Sequence, residues 1–142
     1  MADIHNLQRF ILAQDQVYPA VLAELNAGQK QTHWMWFVFP QIQGLGKSAT
    51  ARRYSIVSKA EARAYLKHPV LGRRLQECTR IISQLEGRTV EQIFGSIDAL
   101  KLRSSMTLFA LTSEEPTIFN DILNMYFNGK PDQATIGLLN SV

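Results

Sequence analysis

The chain has 142 residues, of which 46% are hydrophobic, and its formal net charge is +3. This length indicates one domain, spanning residues 1–142. Such a domain buries about two-thirds of the surface that its unfolded chain exposes and folds without a disulfide bond or other cross-link. Cys78 is the single cysteine, which excludes an intramolecular disulfide and a cysteine-based zinc cluster. The sequence shows neither a signal segment nor an apolar run long enough to span a membrane. We therefore expect a soluble cytoplasmic protein.

Basic residues are concentrated in one part of the chain. Residues 47–74 hold eight lysines and arginines against one acidic residue, whereas the remainder is net acidic. Such a segment attracts phosphates, nucleotides or nucleic acid. The alternative is an ordinary solvated helix face, since charged side chains mostly lie at the surface.

The N-terminal part of the sequence predicts two helices. Asp3 is a candidate N-cap for the first. The second covers residues 17–25, where apolar side chains recur at helical spacing and Pro19 is tolerated near the start. Gly28 follows as its exit turn.

Residues 33–40, His-Trp-Met-Trp-Phe-Val-Phe-Pro, are the densest aromatic stretch of the chain. Propensity and length also fit a buried strand, but no second convincing strand exists to pair with it. We therefore predict one or two helical turns that end at Pro40. Because His33 and Gln41 flank the aromatic side chains with polar groups, we expect this segment to form both core and pocket wall.

The middle of the sequence predicts a succession of capped helices. Ser48 caps a helix through Tyr54, and Ser58 with Glu61 forms a capping box for the next one. The clearest amphipathic helix covers residues 71–85 and stops at Gly87.

The C-terminal part predicts four more helices. Residues 89–92 form a capping box for a short helix that ends at Gly95. Asp98 is predicted to cap a helix with an apolar tail typical of a bundle centre. Pro116 starts another helix, and Asp132 caps a short final one. The sequence therefore predicts an all-α fold, a compact single-domain bundle of about seven helices.

Residues 44–48, Gly-Leu-Gly-Lys-Ser, carry the end of a phosphate-binding P-loop. The match fails because Gln41 occupies the position of the first glycine and Pro40 that of the feeding strand, so we expect no nucleoside triphosphatase. A glycine-rich turn that runs into a helix still presents free N–H groups, and Lys47 and Ser48 add donors for an anion. The alternative is a tight turn in which Ser48 is a plain N-cap.

Three further features bear on chemistry. The histidines are too scattered for a metal site, and we expect neither a metal nor another cofactor. Asp98 and Glu61 are the candidate catalytic residues, although each also fits the role of a helix cap. Asp98, Lys101 and Ser105 form one polar stripe at helical spacing, and a buried polar stripe needs partners or a ligand.

Motifs spread over nearly the whole chain resemble those of a known protein family. They are residues 7–10, 33–41, 44–48, 61–66, 68–72, 98–101 and 104–109, including His-Trp-Met-Trp-Phe-Val-Phe-Pro-Gln. Together they resemble a bacterial family of short domains of unknown function, which implies an all-helical, soluble, single-domain protein and no known activity. Some family members are labelled calpastatin, a name that does not fit because this sequence is not a disordered, low-complexity inhibitor. A more distant resemblance, at residues 61–62 and 98–107, is to a superfamily linked to ADP-ribose and N-glycosidic chemistry.

The leading functional hypothesis is a pocket for a phosphate-bearing, nucleotide-like small molecule, with N-glycoside hydrolysis as its finer form. The tryptophans would stack the base, the amines and hydroxyls would bind phosphate or ribose, and Asp98 or Glu61 would stabilise the oxocarbenium-like charge. The predicted ligand contacts are His33, Trp34, Trp36, Gln41, Lys47, Ser48, Arg52, Lys101 and Ser105. The alternatives are a non-catalytic protein-interaction module and single-stranded nucleic-acid binding. Nucleic acid is not expected as main partner, because the sequence has no recognition-helix motif. The oligomeric state is left open.

Overall fold

The computed structural model describes residues 3–114 and 117–142. These residues form α1 (Gln8–Asp15), α2 (Tyr18–Asn26), α3 (Met35–Val38), α4 (Ala49–Arg53), α5 (Lys59–Lys67), α6 (Leu71–Gln84), α7 (Val90–Thr112), α8 (Ile118–Phe127) and α9 (Gln133–Asn140). Within the described ranges, extended pairing is limited to a single parallel bridge between Ile42 and Ile56. The predicted all-α fold is confirmed, with nine helices in the described residues where about seven were expected. The predicted helix start at Pro116 lies outside these residues.

Side-chain caps fix several helix starts where the sequence predicts them. Ser48, Ser58 and Asp132 each accept a hydrogen bond from the backbone N–H three residues later, at 3.1, 3.0 and 3.2 Å. Thr89 and Gln92 each bond the other's backbone N–H in a reciprocal capping box. These contacts satisfy N–H groups that a helix leaves without intrahelical partners.

Helix α7 changes direction at Gly95, whose φ of 80° and ψ of 163° are not helical. A positive φ of this size favours glycine, so the predicted break at this position is found. The prediction that Asp98 caps the following helix is wrong. Asp98 lies inside α7, and its carboxylate pairs with the side chains of Lys30 and Lys101. The carboxylate therefore pairs with one local and one distant lysine instead of capping the helix.

Aromatic rings link the helices through the core. Phe10 packs edge-on against Tyr65 with 5.1 Å between ring centroids, Tyr65 lies 5.4 Å from Phe109, and Phe109 lies 5.8 Å from Phe119. These rings join α1, α5, α7 and α8. Phe109 is fully buried, in agreement with the central position that the apolar tail of its helix predicts.

The aromatic stretch forms the single turn α3, so the helical alternative was right and the strand alternative wrong. Trp34, Val38 and Phe39 are buried in the core. Trp36 and Phe37 are half-buried and reach the surface between α4 and α7. No helix in residues 3–114 or 117–142 is long and apolar enough to cross a membrane.

Candidate functional site

A cleft of about 340 Å³ opens where the α3 turn, the start of α4 and the part of α7 after its bend come together. Small-molecule sites generally have volumes of about 300–1,000 Å³. The cleft is lined by Lys30, His33, Trp34, Met35, Trp36, Phe37, Ser48, Thr50, Asp98 and Lys101. We call it the Asp98 cleft.

The charged centre of the Asp98 cleft is one carboxylate between two ammonium groups. The Nζ of Lys30 lies 2.8 Å from Oδ2 of Asp98, and the Nζ of Lys101 lies 3.2 Å from Oδ1. Burial opposes ionisation of Asp98, but the two lysines outweigh it and hold the pKa of the carboxyl below its usual value. Asp98 is therefore ionised at neutral pH, and the three side chains together carry one net positive charge.

Lys30 is a cleft residue that the sequence analysis missed. Its side chain is only 6% exposed, and its backbone N–H donates to the carbonyl of Ile93 at 2.7 Å. Its partner Asp98 is distant in sequence, so no local pattern marks the pair. The sequence feature that could have pointed to Lys30 is its position as a lysine just before the aromatic stretch.

Trp34 is an anchored core side chain. It is 1% exposed, and its indole Nε1 donates to Oε1 of Glu24 at 3.1 Å. The Nζ of Lys30 lies 5.1 Å from the centroid of its ring. An indole enclosed in this way has no free face on which a base could stack.

Trp36 separates the Asp98 cleft from a second, much smaller cavity. On the cleft side, Nζ of Lys101 lies 4.1 Å from the ring centroid, a cation–π contact. Gly46 lies close to the six-membered ring of the indole, where an added Cβ would be 3.0 Å from Cη2. The cleft side of Trp36 is therefore covered by Lys101.

Gln41 and Arg52 line that smaller cavity behind Trp36, and they are outside the lining of the Asp98 cleft. The cavity measures about 10 Å³. This is about the space of one water-sized sphere, so a phosphate group does not fit. The amide Nε2 of Gln41 is buried and has no hydrogen-bond partner among the described residues.

Glu61 also lies apart from the Asp98 cleft. Its side chain is buried, Oε2 pairs with Arg9 at 2.8 Å, and Oε1 accepts the N–H of Val57 at 2.9 Å. Arg9 also donates to the carbonyls of Arg53 and Ser55, so the pair ties α1 to the segment before α5. Because Glu61 is 2% exposed and lies outside the cleft lining, it has a structural role in this arrangement.

Two more predicted ligand contacts are not brought to the cleft. Ser105 is fully buried, and its Oγ has no partner among the described residues. Lys47 is exposed and lies outside the cleft lining. His33, by contrast, is an exposed residue of the lining, and Ser48 contributes to it while capping α4.

Comparison with known proteins gives two matches. The family described as "Protein of unknown function (DUF1810)" matches residues 4–139. The crystal structure of the conserved hypothetical protein Rv1873 from Mycobacterium tuberculosis is similar, with 51% sequence identity and a TM-score of 0.96 over 97% of this chain and 99% of that chain. A search of the curated proteins finds no match. The resemblance to a family of unknown function is thus confirmed.

Proposed function

The chain belongs to the DUF1810 family, and from the geometry of the Asp98 cleft we propose that it binds a small phosphate-bearing, nucleotide-like molecule there. The observation that carries this proposal is the meeting of two lysines, one carboxylate and two hydroxyl-bearing residues beside an aromatic wall in one cleft. Convergent polar groups in a concave, partly apolar surface are typical of small-molecule sites.

The charges of the cleft favour an anionic ligand. Each lysine ammonium group has three N–H donors, and Asp98 occupies a single direction around each of them. The remaining donors of Lys101, whose side chain is 21% exposed, are available to a phosphate group, and the more buried Lys30 adds its positive charge. Ser48 and Thr50 add hydroxyl groups to the lining, and the Ser48 hydroxyl can still donate while it accepts the N–H of Ala51.

N-glycoside hydrolysis is the finer form of this proposal, and it rests on Asp98. An ionised carboxylate stabilises the positive charge that develops at C1′ as water adds there and the base leaves with a proton. Among the described residues, Asp98 is the only carboxylate in the cleft lining, because Glu61 is paired with Arg9 elsewhere. Glycosidases of the usual kind place two carboxylates at the bond, so electrostatic stabilisation by one group is the proposed mechanism.

Binding is tested by calorimetry and thermal shift with AMP, comparing two lysine variants. A ligand at a hundred times its dissociation constant stabilises the folded state by about 2.7 kcal/mol. We expect Lys101→Met to weaken AMP binding by about tenfold or more. The matched control, Lys47→Met, removes the same charge from a surface position outside the cleft and should leave binding unchanged. Equal effects of the two variants, or no binding by the wild type, would reject the proposal.

Hydrolysis is tested separately with Asp98→Asn. Removing the negative charge should keep or strengthen AMP binding, because the two lysines then lose their internal counter-ion. Release of adenine from AMP, followed by chromatography, should be abolished in this variant. If wild-type protein binds AMP but releases no base, the binding proposal remains and the hydrolytic form is rejected.

A further inference from the structure

The aromatic surfaces of the Asp98 cleft are already in contact with the protein's own groups. Trp34 is buried, with its N–H bonded to Glu24. Trp36 has the ammonium group of Lys101 over its ring, and Gly46 lies close to its six-membered ring. Phe37 also reaches the cleft, but its ring packs at a tilt against Tyr54, with 5.3 Å between centroids. A planar base would have to displace one of these contacts before it could stack.

The polar groups of the cleft also contact one another, but a lysine ammonium group in an ion pair keeps further N–H donors for a ligand. Lys30, Lys101 and Asp98 lie together at its centre, and Ser48 and Thr50 contribute hydroxyl-bearing side chains. A carboxylate accepts hydrogen bonds from sugar hydroxyls, and ammonium groups donate to phosphate oxygens. Both kinds of partner belong to a ribose phosphate.

We infer that the Asp98 cleft recognises the ribose-phosphate part of its ligand and leaves the base without stacking contacts. This inference rests on the proposed function, and it narrows the ligand class from nucleotides to ribose phosphates in general. Lys101 has two roles in this arrangement, since its ammonium group both covers the Trp36 indole and faces the ligand. The cleft then tolerates any base, or none, at C1′.

The test is a calorimetric comparison of ribose 5-phosphate, AMP and adenosine on the wild-type protein. Ribose 5-phosphate should bind within about tenfold of AMP, and adenosine should bind more than about tenfold more weakly than AMP. The inference is overturned if AMP binds but ribose 5-phosphate binds more than about tenfold more weakly than AMP. It is also overturned if adenosine binds within about tenfold of AMP, because the base would then be recognised. Failure of AMP and ribose 5-phosphate alike rejects the proposed function itself.

A variant separates stacking from phosphate recognition. Trp36→Leu keeps an apolar wall but removes the aromatic ring. It should therefore change the dissociation constants of AMP and of ribose 5-phosphate by the same factor. Selective loss of AMP binding by more than about tenfold would mean that the base stacks on Trp36. Circular dichroism checks that the variant is folded. If Trp36→Leu does not fold, the comparison of the three ligands on the wild-type protein remains the test of the inference.

Discussion

The carboxylate of Glu24 accepts a hydrogen bond from the indole N–H of Trp34, with 3.1 Å between Oε1 and Nε1. It also accepts the backbone N–H groups of Gln31 and Thr32, at 2.6 and 2.9 Å, and the hydroxyl of Thr32 at 2.6 Å. One side chain in α2 therefore holds the segment that leads into the aromatic turn and the Asp98 cleft.

Replacing this carboxylate should change both the stability and its pH dependence. Burial opposes ionisation of Glu24, but the bonds from Thr32, Gln31 and Trp34 outweigh it and hold its pKa at about 2. Glu24→Gln presents an amide N–H₂ to groups that are themselves donors, so we expect a loss of about 1–3 kcal/mol at pH 7 in urea denaturation. A lowered folded-state pKa contributes stability above the unfolded pKa, and that contribution is lost as pH falls.

The difference between wild type and Glu24→Gln should therefore shrink as pH falls from about 4.3, the ordinary glutamate value, toward about 2. Glu86→Gln is the matched control, since Glu86 is exposed and makes no side-chain hydrogen bond or ion pair with the described residues. It should change stability by less than about 0.5 kcal/mol. A Glu24→Gln difference that stays constant between pH 7 and pH 2.5 would contradict the assignment.

The two tryptophans should differ sharply in their contribution to stability. Trp34→Ala removes a side chain that is 1% exposed and should cost about 3–5 kcal/mol. Trp36→Ala removes a half-buried wall of the Asp98 cleft and should cost about 1–3 kcal/mol, because the space it leaves is open to water. Denaturant unfolding of both variants measures this, and equal costs would place Trp36 in the core.

The sequence predicted well those features that depend on neighbours in the chain. Ser48, Ser58 and Asp132 cap their helices because a side-chain oxygen reaches an N–H only three residues away. The break at Gly95 follows from the conformational freedom of one residue. Such contacts depend little on the rest of the fold, so local patterns suffice to find them.

Features that depend on tertiary packing were missed. The pairing of Lys30 with Asp98 joins residues far apart in the chain, and nothing local indicates it. Gln41 was grouped with the aromatic stretch because it is adjacent in sequence, yet the indole of Trp36 separates it from the Asp98 cleft. Ser105 follows Lys101 at helical spacing, but it is buried and does not line the cleft.

We expect any substitution of Gly46 to destabilise the fold, because there is too little space around it for a side chain. A Cβ at this position would lie 2.5 Å from Cβ of Ala51 and 3.0 Å from Cη2 of Trp36, so Gly46→Ala must displace the turn or the indole. We expect a loss of about 1–3 kcal/mol, measured by denaturant unfolding, and altered Trp36 fluorescence. Gly137→Ala is the control, because an added Cβ there meets nothing within 4 Å inside α9. It should be neutral or stabilising by up to about 1 kcal/mol, and a cost equal to that of Gly46→Ala would refute the packing argument.

The neighbouring serines of α7 give the last comparison. The hydroxyl of Ser104 lies 3.0 Å from Oδ2 of Asp132 and 3.1 Å from the carbonyl oxygen of Leu100, and its contact with the carboxylate ties α7 to the start of α9. Ser105 is fully buried, with no hydrogen-bond partner for its Oγ among the described residues. Because a bond to a charged group stabilises more than a neutral one, Ser104→Ala should cost about 1–3 kcal/mol.

Ser105→Ala makes the same chemical change one residue later and should be neutral or stabilising by up to about 1 kcal/mol, since it removes a buried polar group that nothing pairs. Urea denaturation of both variants measures the two effects on one scale. Calorimetry with AMP adds a second measurement, in which Ser105→Ala should bind as the wild type does, because Ser105 lies outside the cleft lining. A large loss of stability or of AMP binding in Ser105→Ala would show that its hydroxyl has a partner or contacts the ligand.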